Sequence, residues 1–253
     1  MDPKERFGAR ASDYARYRPS YPSAVIETLV RECGLDSEKT VADLGSGTGL
    51  FARLLLETGA TVFGIEPSTE MREEAEMALD GQHKFNSVAG TAEEIPLGDE
   101  TVDLVTAAQA FHWFEIGKTR SEMMRILRKP GWVALVWNIR HPDSTEFHKD
   151  YELLLTKWGI GYKGPTHGQD DLSLIEQVFE GGRFEHTTVH NPQFLFWEEL
   201  QGRAQSASYF PLKDHENYGP AIDELARIFE RHKTGGRVNF DYTTELFLGT
   251  LAS

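Results

Sequence analysis

The chain has 253 residues, 40% of them hydrophobic, a formal net charge of −14 and one cysteine, Cys33; this fits one α/β domain over 1–253 and forbids an intrachain disulfide. Its longest apolar runs, such as Trp132–Trp137, fall far short of the roughly 20 residues of a membrane span, and no apolar stretch follows Met1–Arg6, so no membrane association or secretory signal is read and a cytoplasmic place is expected. The acidity repels a phosphate backbone, and the closest basic grouping, Arg120, Arg125, Arg128 and Lys129, reads as a solvated helix face; a small-molecule substrate rather than nucleic acid is expected, for a monomer or a homodimer.

The first helix is expected after Tyr21-Pro22-Ser23, because Val25, Ile26, Leu29, Val30 and Cys33 share one face and Gly34 stops it. Thr40–Leu44 reads as a buried strand that runs into Asp43-Leu44-Gly45-Ser46-Gly47-Thr48-Gly49. A helix over Leu50–Glu57, a strand over Thr61–Glu66 and a helix over Glu70–Leu79 follow. Strands three and four are predicted over Phe85–Ala89 and Val102–Ala107. A helix over Thr119–Leu127 is stopped by Lys129-Pro130-Gly131, ahead of a fifth strand over Trp132–Trp137. The alternation predicts an α/β fold: a Rossmann-like, mostly parallel seven-stranded sheet with helices on both faces and a cofactor-binding core over about 36–138.

The pattern changes after Ile139. Helices are expected over Ser144–Trp158, Leu172–Phe179, Trp197–Gln205 and Ala221–His232. Strands are expected over Phe184–His190 and Val238–Leu248, the latter behind a Gly235-Gly236 turn. We read 139–253 as the last two strands plus a helical cap, to which 1–35 contribute.

A glycine-rich turn between strand and helix lets backbone approach a ligand and exposes helix N–H groups. The dinucleotide fingerprint is G-x-G-x-x-G/A. Here Gly49 comes one residue early and Leu50 fills the slot reserved for a small residue. No Gly-Lys-Ser/Thr follows, so a P-loop is excluded. Asp43, two residues before Gly45, is an awkward neighbour for a pyrophosphate but accepts hydrogen bonds from an ammonium. Glu66, at the end of the second strand, is placed to accept from both hydroxyls of a ribose.

Val41–Gly49 with Glu66 resembles the first two motifs of class I S-adenosylmethionine-dependent methyltransferases. Gly90–Leu97 resembles the family's loop after the third strand, and Leu127–Trp132 the motif before the fifth. Tyr14–Pro22, Gln109–Phe114 and Gly202–Tyr209 resemble the small-molecule subgroup that includes trans-aconitate methyltransferase. The resemblance implies S-adenosyl-L-methionine as cofactor and S-adenosyl-L-homocysteine as product. It implies that Asp43, Gly45 and Gly47 hold the methionine moiety and Glu66 the ribose, that Ser46 also binds the cofactor, and that Pro67 and Met71 pack beside ribose and adenine. The family often has an aspartate at the adenine amino group. Thr91 stands there in this chain, so the contact falls to Thr91 or Glu93, with the backbone N–H of Ala92 at the ring. Gln109 would flank the methionine end. Tyr14 and Arg18 would lie over the cofactor, Arg18 as partner to its carboxylate or else in a surface ion pair.

Methyl transfer from a sulfonium is an in-line displacement, and positioning the acceptor supplies much of the acceleration. A hydroxyl or amine acceptor calls for a base, and His112, on a rim loop among Phe111, Trp113 and Phe114, is the candidate. His186 and His190 fall on a predicted strand, about 13 Å apart, and with no HExxH or cysteine partner no metal site is read. No G-x-S-x-G supports Ser-His-Asp chemistry. The expected function is methyl transfer to a small molecule, O-methylation of a carboxylate or hydroxyl favoured. The alternatives are a dinucleotide-dependent oxidoreductase and a non-catalytic cofactor-binding protein.

Overall fold

A computed structural model of the chain describes residues 17–164 and 172–252. The helix α1 (Ser23–Cys33) ends at Gly34, whose φ of 63° lets its N–H turn back to Leu29 O. Next come β1 (Thr40–Leu44), α2 (Leu50–Leu56), β2 (Thr61–Ile65), α3 (Thr69–Ala78), β3 (Phe85–Val88), β4 (Val102–Ala108), α4 (Ile116–Ile126) and β5 (Leu127–Ile139). The second half adds α5 (Glu146–Trp158), α6 (Leu172–Val178), β6 (Arg183–Leu195), α7 (Trp197–Gln205), α8 (Tyr218–His232) and β7 (Val238–Thr250).

The seven strands form one sheet in the order β3-β2-β1-β4-β5-β7-β6. β1 pairs in parallel with β2 and β4, β2 with β3, and β4 with β5. The sheet is therefore the mostly parallel, Rossmann-like one read from the sequence, and β6 and β7 are its last two strands. The strand order reverses between β1 and β4, and the loops after β1, β2, β3 and β4 share the carboxyl rim where such sheets take ligands.

Two departures from the sequence reading bear on the sheet. Lys129-Pro130-Gly131 does not separate α4 from the fifth strand. The chain enters β5 at Leu127, which pairs with Val102, and a register shift before the Leu104–Trp132 pair absorbs the three residues. A proline and a glycine broke the predicted strand, whereas a bulge accommodates both. β6 runs five residues past His190, to Leu195, because Asn191 and Leu195 are buried. The Gly235-Gly236 turn is present, with φ of 59° and 80°, closed by a Thr234–Arg237 bridge.

The chain divides into two compact units. The larger comprises Ser20–Asn138, His167–Val189 and Thr244–Ser253; the smaller comprises Met1–Pro19, Ile139–Thr166 and His190–Thr243. The larger unit's core gathers Val25 and Leu29 of α1, Phe51 and Leu55 of α2, and Val41, Val62, Leu104 and Val136 of the strands. The smaller unit's core gathers Tyr151 and Leu154 of α5, Leu200 of α7, Leu225 and Phe229 of α8, and Phe240 of β7. Each such side chain contributes roughly 1.5–3 kcal/mol by leaving water, so each unit has its own means of holding its residues in place.

Candidate functional site

The glycine loop starts where β1 leaves the sheet. The N–H groups of Gly45 and Ser46 donate to Ile65 O at 2.8 and 3.2 Å, which pins the loop to the end of β2. Gly45 has a φ of +64°, and a Cβ there would lie 2.6 Å from the Ala110 Cβ and 3.4 Å from the Phe114 ring. The loop after β4 is thus pressed against the glycine loop. Gly47 has a φ of +55°, and a Cβ on it would meet nothing nearer than Gly45 O at 4.0 Å. Ser46 faces β2, where its Oγ lies 2.9 Å from the place a Cβ on Gly64 would take.

Asp43 is 1% exposed. Its Oδ1 accepts a 2.7 Å hydrogen bond from Thr106 Oγ1, directly across the β1–β4 pairing. Its Oδ2 is buried and has no hydrogen-bond partner among the described residues. Burial pushes the carboxyl up to about 7; the Thr106 bond opposes this and the nearby Glu66 adds to it. A buried carboxylate oxygen without a donor is costly and marks a place for a cation. Thr48 Oγ1, in the same loop, is likewise buried without a partner among the described residues.

Glu66 is 8% exposed. Its Oε2 accepts from Gly47 N at 3.1 Å and its Oε1 from Ser68 N at 2.9 Å, so it joins the glycine loop to the start of α3. Ser68 caps α3 by accepting from Met71 N, and Met71 is buried beneath that cap while Pro67 is exposed. The S-adenosylmethionine implied by the resemblance suits this donor set. The Asp43 Oδ2 matches an ammonium, the space over Gly47 admits a ligand against backbone, and Glu66 offers a carboxylate one strand away.

Gly45 and Ser46 are bonded to Ile65 and Gly47 to Glu66, while Asp43 is bonded to Thr106 and lies within electrostatic reach of Glu66. In the loop after β3, Thr91 and Glu94 form a bridge, Ala92 is buried, and Glu93 Oε1 accepts from Glu115 N at 2.9 Å, ahead of α4. Gln109 has a φ of 56°; its N–H donates to Val136 O and its Nε2 to Asn138 O, both at 2.9 Å. Arg18 belongs to the smaller unit and donates to Ser206 O at 3.1 Å. Tyr14 lies outside the described residues.

His112 sits in a single 3-10 turn, Phe111–Trp113. Phe111 is fully buried and packs edge-on against Trp137 and Phe114. His112 reaches the surface beside Trp113, and the protein crowded around its ring lowers its pKa. His186 stacks on Phe247, and His190 lies 3.2 Å from Asp241. Among the described residues no group of three or more His, Cys, Asp or Glu side chains is placed to hold a metal.

Thr106 escaped the sequence reading. Its signal was there: a hydroxyl residue in the otherwise apolar run Leu104-Val105-Thr106-Ala107, on the strand that flanks Asp43.

Residues 42–135 match the family described as Methyltransferase domain. Over 134 residues the chain is 40% identical to an uncharacterized methyltransferase of Mycobacterium bovis, a match that takes in 53% of this chain and 52% of that one. The chain thus spans about half the length of that curated relative. Over 178 residues it is 32% identical to an uncharacterized methyltransferase of Geobacillus, across 68% of this chain and 80% of that protein. Among solved structures, the YcgJ protein from Bacillus superposes with a TM-score of 0.59 at 18% identity, over 90% of this chain and 98% of that one, and so shares the fold.

Proposed function

The chain belongs to the class I S-adenosylmethionine-dependent methyltransferase family, and on that premise we propose that it transfers a methyl group from S-adenosylmethionine to a small-molecule acceptor, at a carboxylate or hydroxyl oxygen. The observation that carries the reading is Asp43: a buried carboxylate with one oxygen held by Thr106 and the other turned to no described donor. In this reading Asp43 Oδ2 accepts from the ammonium of the cofactor's methionine end. Gly45, Ser46 and Gly47 line that end with backbone, and Gln109 flanks it. Glu66 accepts from the ribose hydroxyls, with Pro67 and Met71 beside ribose and adenine. Since Glu93 is engaged at Glu115, Thr91 and the Ala92 N–H take the adenine edge.

When bound, the cofactor supplies an electrophilic methyl group on a good leaving group. The chain's part is to orient the acceptor and exclude water. His112, neutral at neutral pH, removes the proton of a hydroxyl acceptor, while a carboxylate acceptor calls for no base. The likeness of Tyr14–Pro22 and Gln109–Phe114 to the trans-aconitate subgroup favours a small acid.

Calorimetry tests the cofactor. S-adenosylhomocysteine is expected to bind with micromolar affinity and NAD not to bind. Glu66→Ala is expected to weaken S-adenosylhomocysteine at least about tenfold, the scale of one lost charged hydrogen-bond pair. Tight NAD binding without S-adenosylhomocysteine binding would overturn the reading in favour of an oxidoreductase. A radiolabelled methyl-transfer screen over small acids, phenols and amines identifies the acceptor; binding with no transfer to any of them would mark a cofactor-binding protein.

A further inference from the structure

Arg140, at the start of the smaller unit's central segment, carries a side chain only 9% exposed. Its Nη2 donates to Glu152 Oε2 at 2.7 Å and lies 2.8 Å from Tyr162 Oη. Tyr162 Oη in turn donates to Glu152, so this carboxylate is fully engaged on that side. Nη1 of Arg140 is buried and has no acceptor among the described residues. An N–H group of a buried cation left without an acceptor is costly, and no hydrogen bond among the described residues offsets it at Nη1.

Two phenols stand by. The guanidinium carbon lies 5.3 Å from the ring centre of Tyr151, and the Tyr209 ring lies 4.7 Å from that of Tyr162. Neither the Tyr151 nor the Tyr209 hydroxyl makes a hydrogen bond among the described residues. Burial raises the pKa of both and the Arg140 charge pulls both down, so both hydroxyls lie within electrostatic reach of that charge and stay protonated donors. Arg203, 6% exposed, is held by Tyr242 Oη, Gln193 Oε1 and the Tyr17 carbonyl, with no carboxylate among its partners in the described residues. Arg203 thus takes no share of the Glu152 carboxylate, which is committed to Arg140 and Tyr162.

We propose that Arg140 Nη1 and the hydroxyls of Tyr151 and Tyr209 form a binding site, within the smaller unit, for the carboxylate of a small organic acid. The donors suit a planar monoanion with two oxygens, and the guanidinium supplies a charge-assisted bond to it. The surrounding rings suit an apolar or aromatic body on that acid. The site stands whether or not the acid it binds is the methyl acceptor.

The test is calorimetry on the full chain with hexanoate and benzoate, hexanamide as neutral counterpart and inorganic phosphate as control. The acids are expected to bind and hexanamide at least about tenfold more weakly, the scale of a lost charged hydrogen bond. Arg140→Lys, which keeps the charge beside Glu152 and removes Nη1, is expected to weaken acid binding about tenfold. Tyr209→Phe, a near-isosteric change, should weaken it severalfold. Both variants should bind S-adenosylhomocysteine as wild type does, which separates this site from the cofactor reading. Acid affinity unchanged in both variants, no preference for acid over amide, or tighter binding of phosphate than of either acid would each overturn the proposal. Loss of S-adenosylhomocysteine binding in wild type would strike the proposed function and leave this site untouched.

Discussion

Asp43 meets two opposed demands. For the fold alone a buried carboxylate is a burden: its pKa rises from the ordinary 3.8 to about 7. Between those values the folded chain keeps a proton that the unfolded chain has released. The stability contributed by this group therefore falls as pH rises from about 4 to about 7, and stays at its lowest above that. Asp43→Asn removes the burden. Without ligand, the variant is expected to melt a few degrees above wild type at pH 8, a margin that shrinks at pH 5; about 2–4 °C per kcal/mol applies to a chain of this size. The same variant should bind S-adenosylhomocysteine at least about tenfold more weakly. Equal melting temperatures at both pH values would show that Asp43 is not strained. At this scale the sequence was informative wherever a residue's place follows from the strand pattern: Asp43 is next to last in β1 and Glu66 directly follows β2. It was silent on Glu93, whose partner Glu115 lies 22 residues away, and on the loose Nη1 of Arg140. Both depend on tertiary neighbours that no local pattern encodes.

Three elements converge on the glycine loop, and the glycines differ in what each neighbour asks of them. At Gly45 a side chain would collide with the Ala110 Cβ at 2.6 Å, and Ala110 is buried and has no flexible end to move. At Gly47 only the left-handed backbone, with a φ of +55°, opposes a side chain. Gly47→Ala is therefore expected to cost about 1–2 kcal/mol, the left-handed penalty. Gly45→Ala adds about 1–3 kcal/mol of overpacking to the same penalty. Urea denaturation of the two variants measures the difference, and equal losses would mean that the loop after β4 does not press on Gly45. The motif's spacing made all three glycines visible in the sequence, but the clash that sets Gly45 apart comes from a segment some 65 residues downstream. The same division holds for strands. β1 to β4 were legible because apolar runs alternate with amphipathic helices, whereas β5 was cut short because Pro130 and Gly131 read locally as breakers and their bulge is fixed only by pairing with β4.

Over the whole molecule, the net charge of −14 sets a field that any ligand meets before it reaches the rim. S-adenosylmethionine carries a sulfonium and an ammonium against one carboxylate, a net charge of +1. S-adenosylhomocysteine has lost the sulfonium charge and is neutral overall. An acidic chain attracts the first and is indifferent to the second, so in the proposed reaction the long-range field favours entry of the methyl donor and departure of the spent product. Salt distinguishes this effect from the local contacts. At 0.5 M salt the screening length drops to about 4 Å, well under its value of about 10 Å at 0.1 M. The affinity for S-adenosylmethionine is expected to fall about two- to fivefold between 0.02 and 0.5 M salt, mostly through a slower association rate. S-adenosylhomocysteine should change by less than half that factor, because it is neutral overall and, in the proposed reading, its ammonium meets Asp43 at contact distance, where screening is weak. Stopped-flow binding with both ligands across that salt range makes the comparison. Parallel salt dependence for the two would assign the effect to the methionine end that they share, and would show that the chain's acidity has no part in telling donor from product.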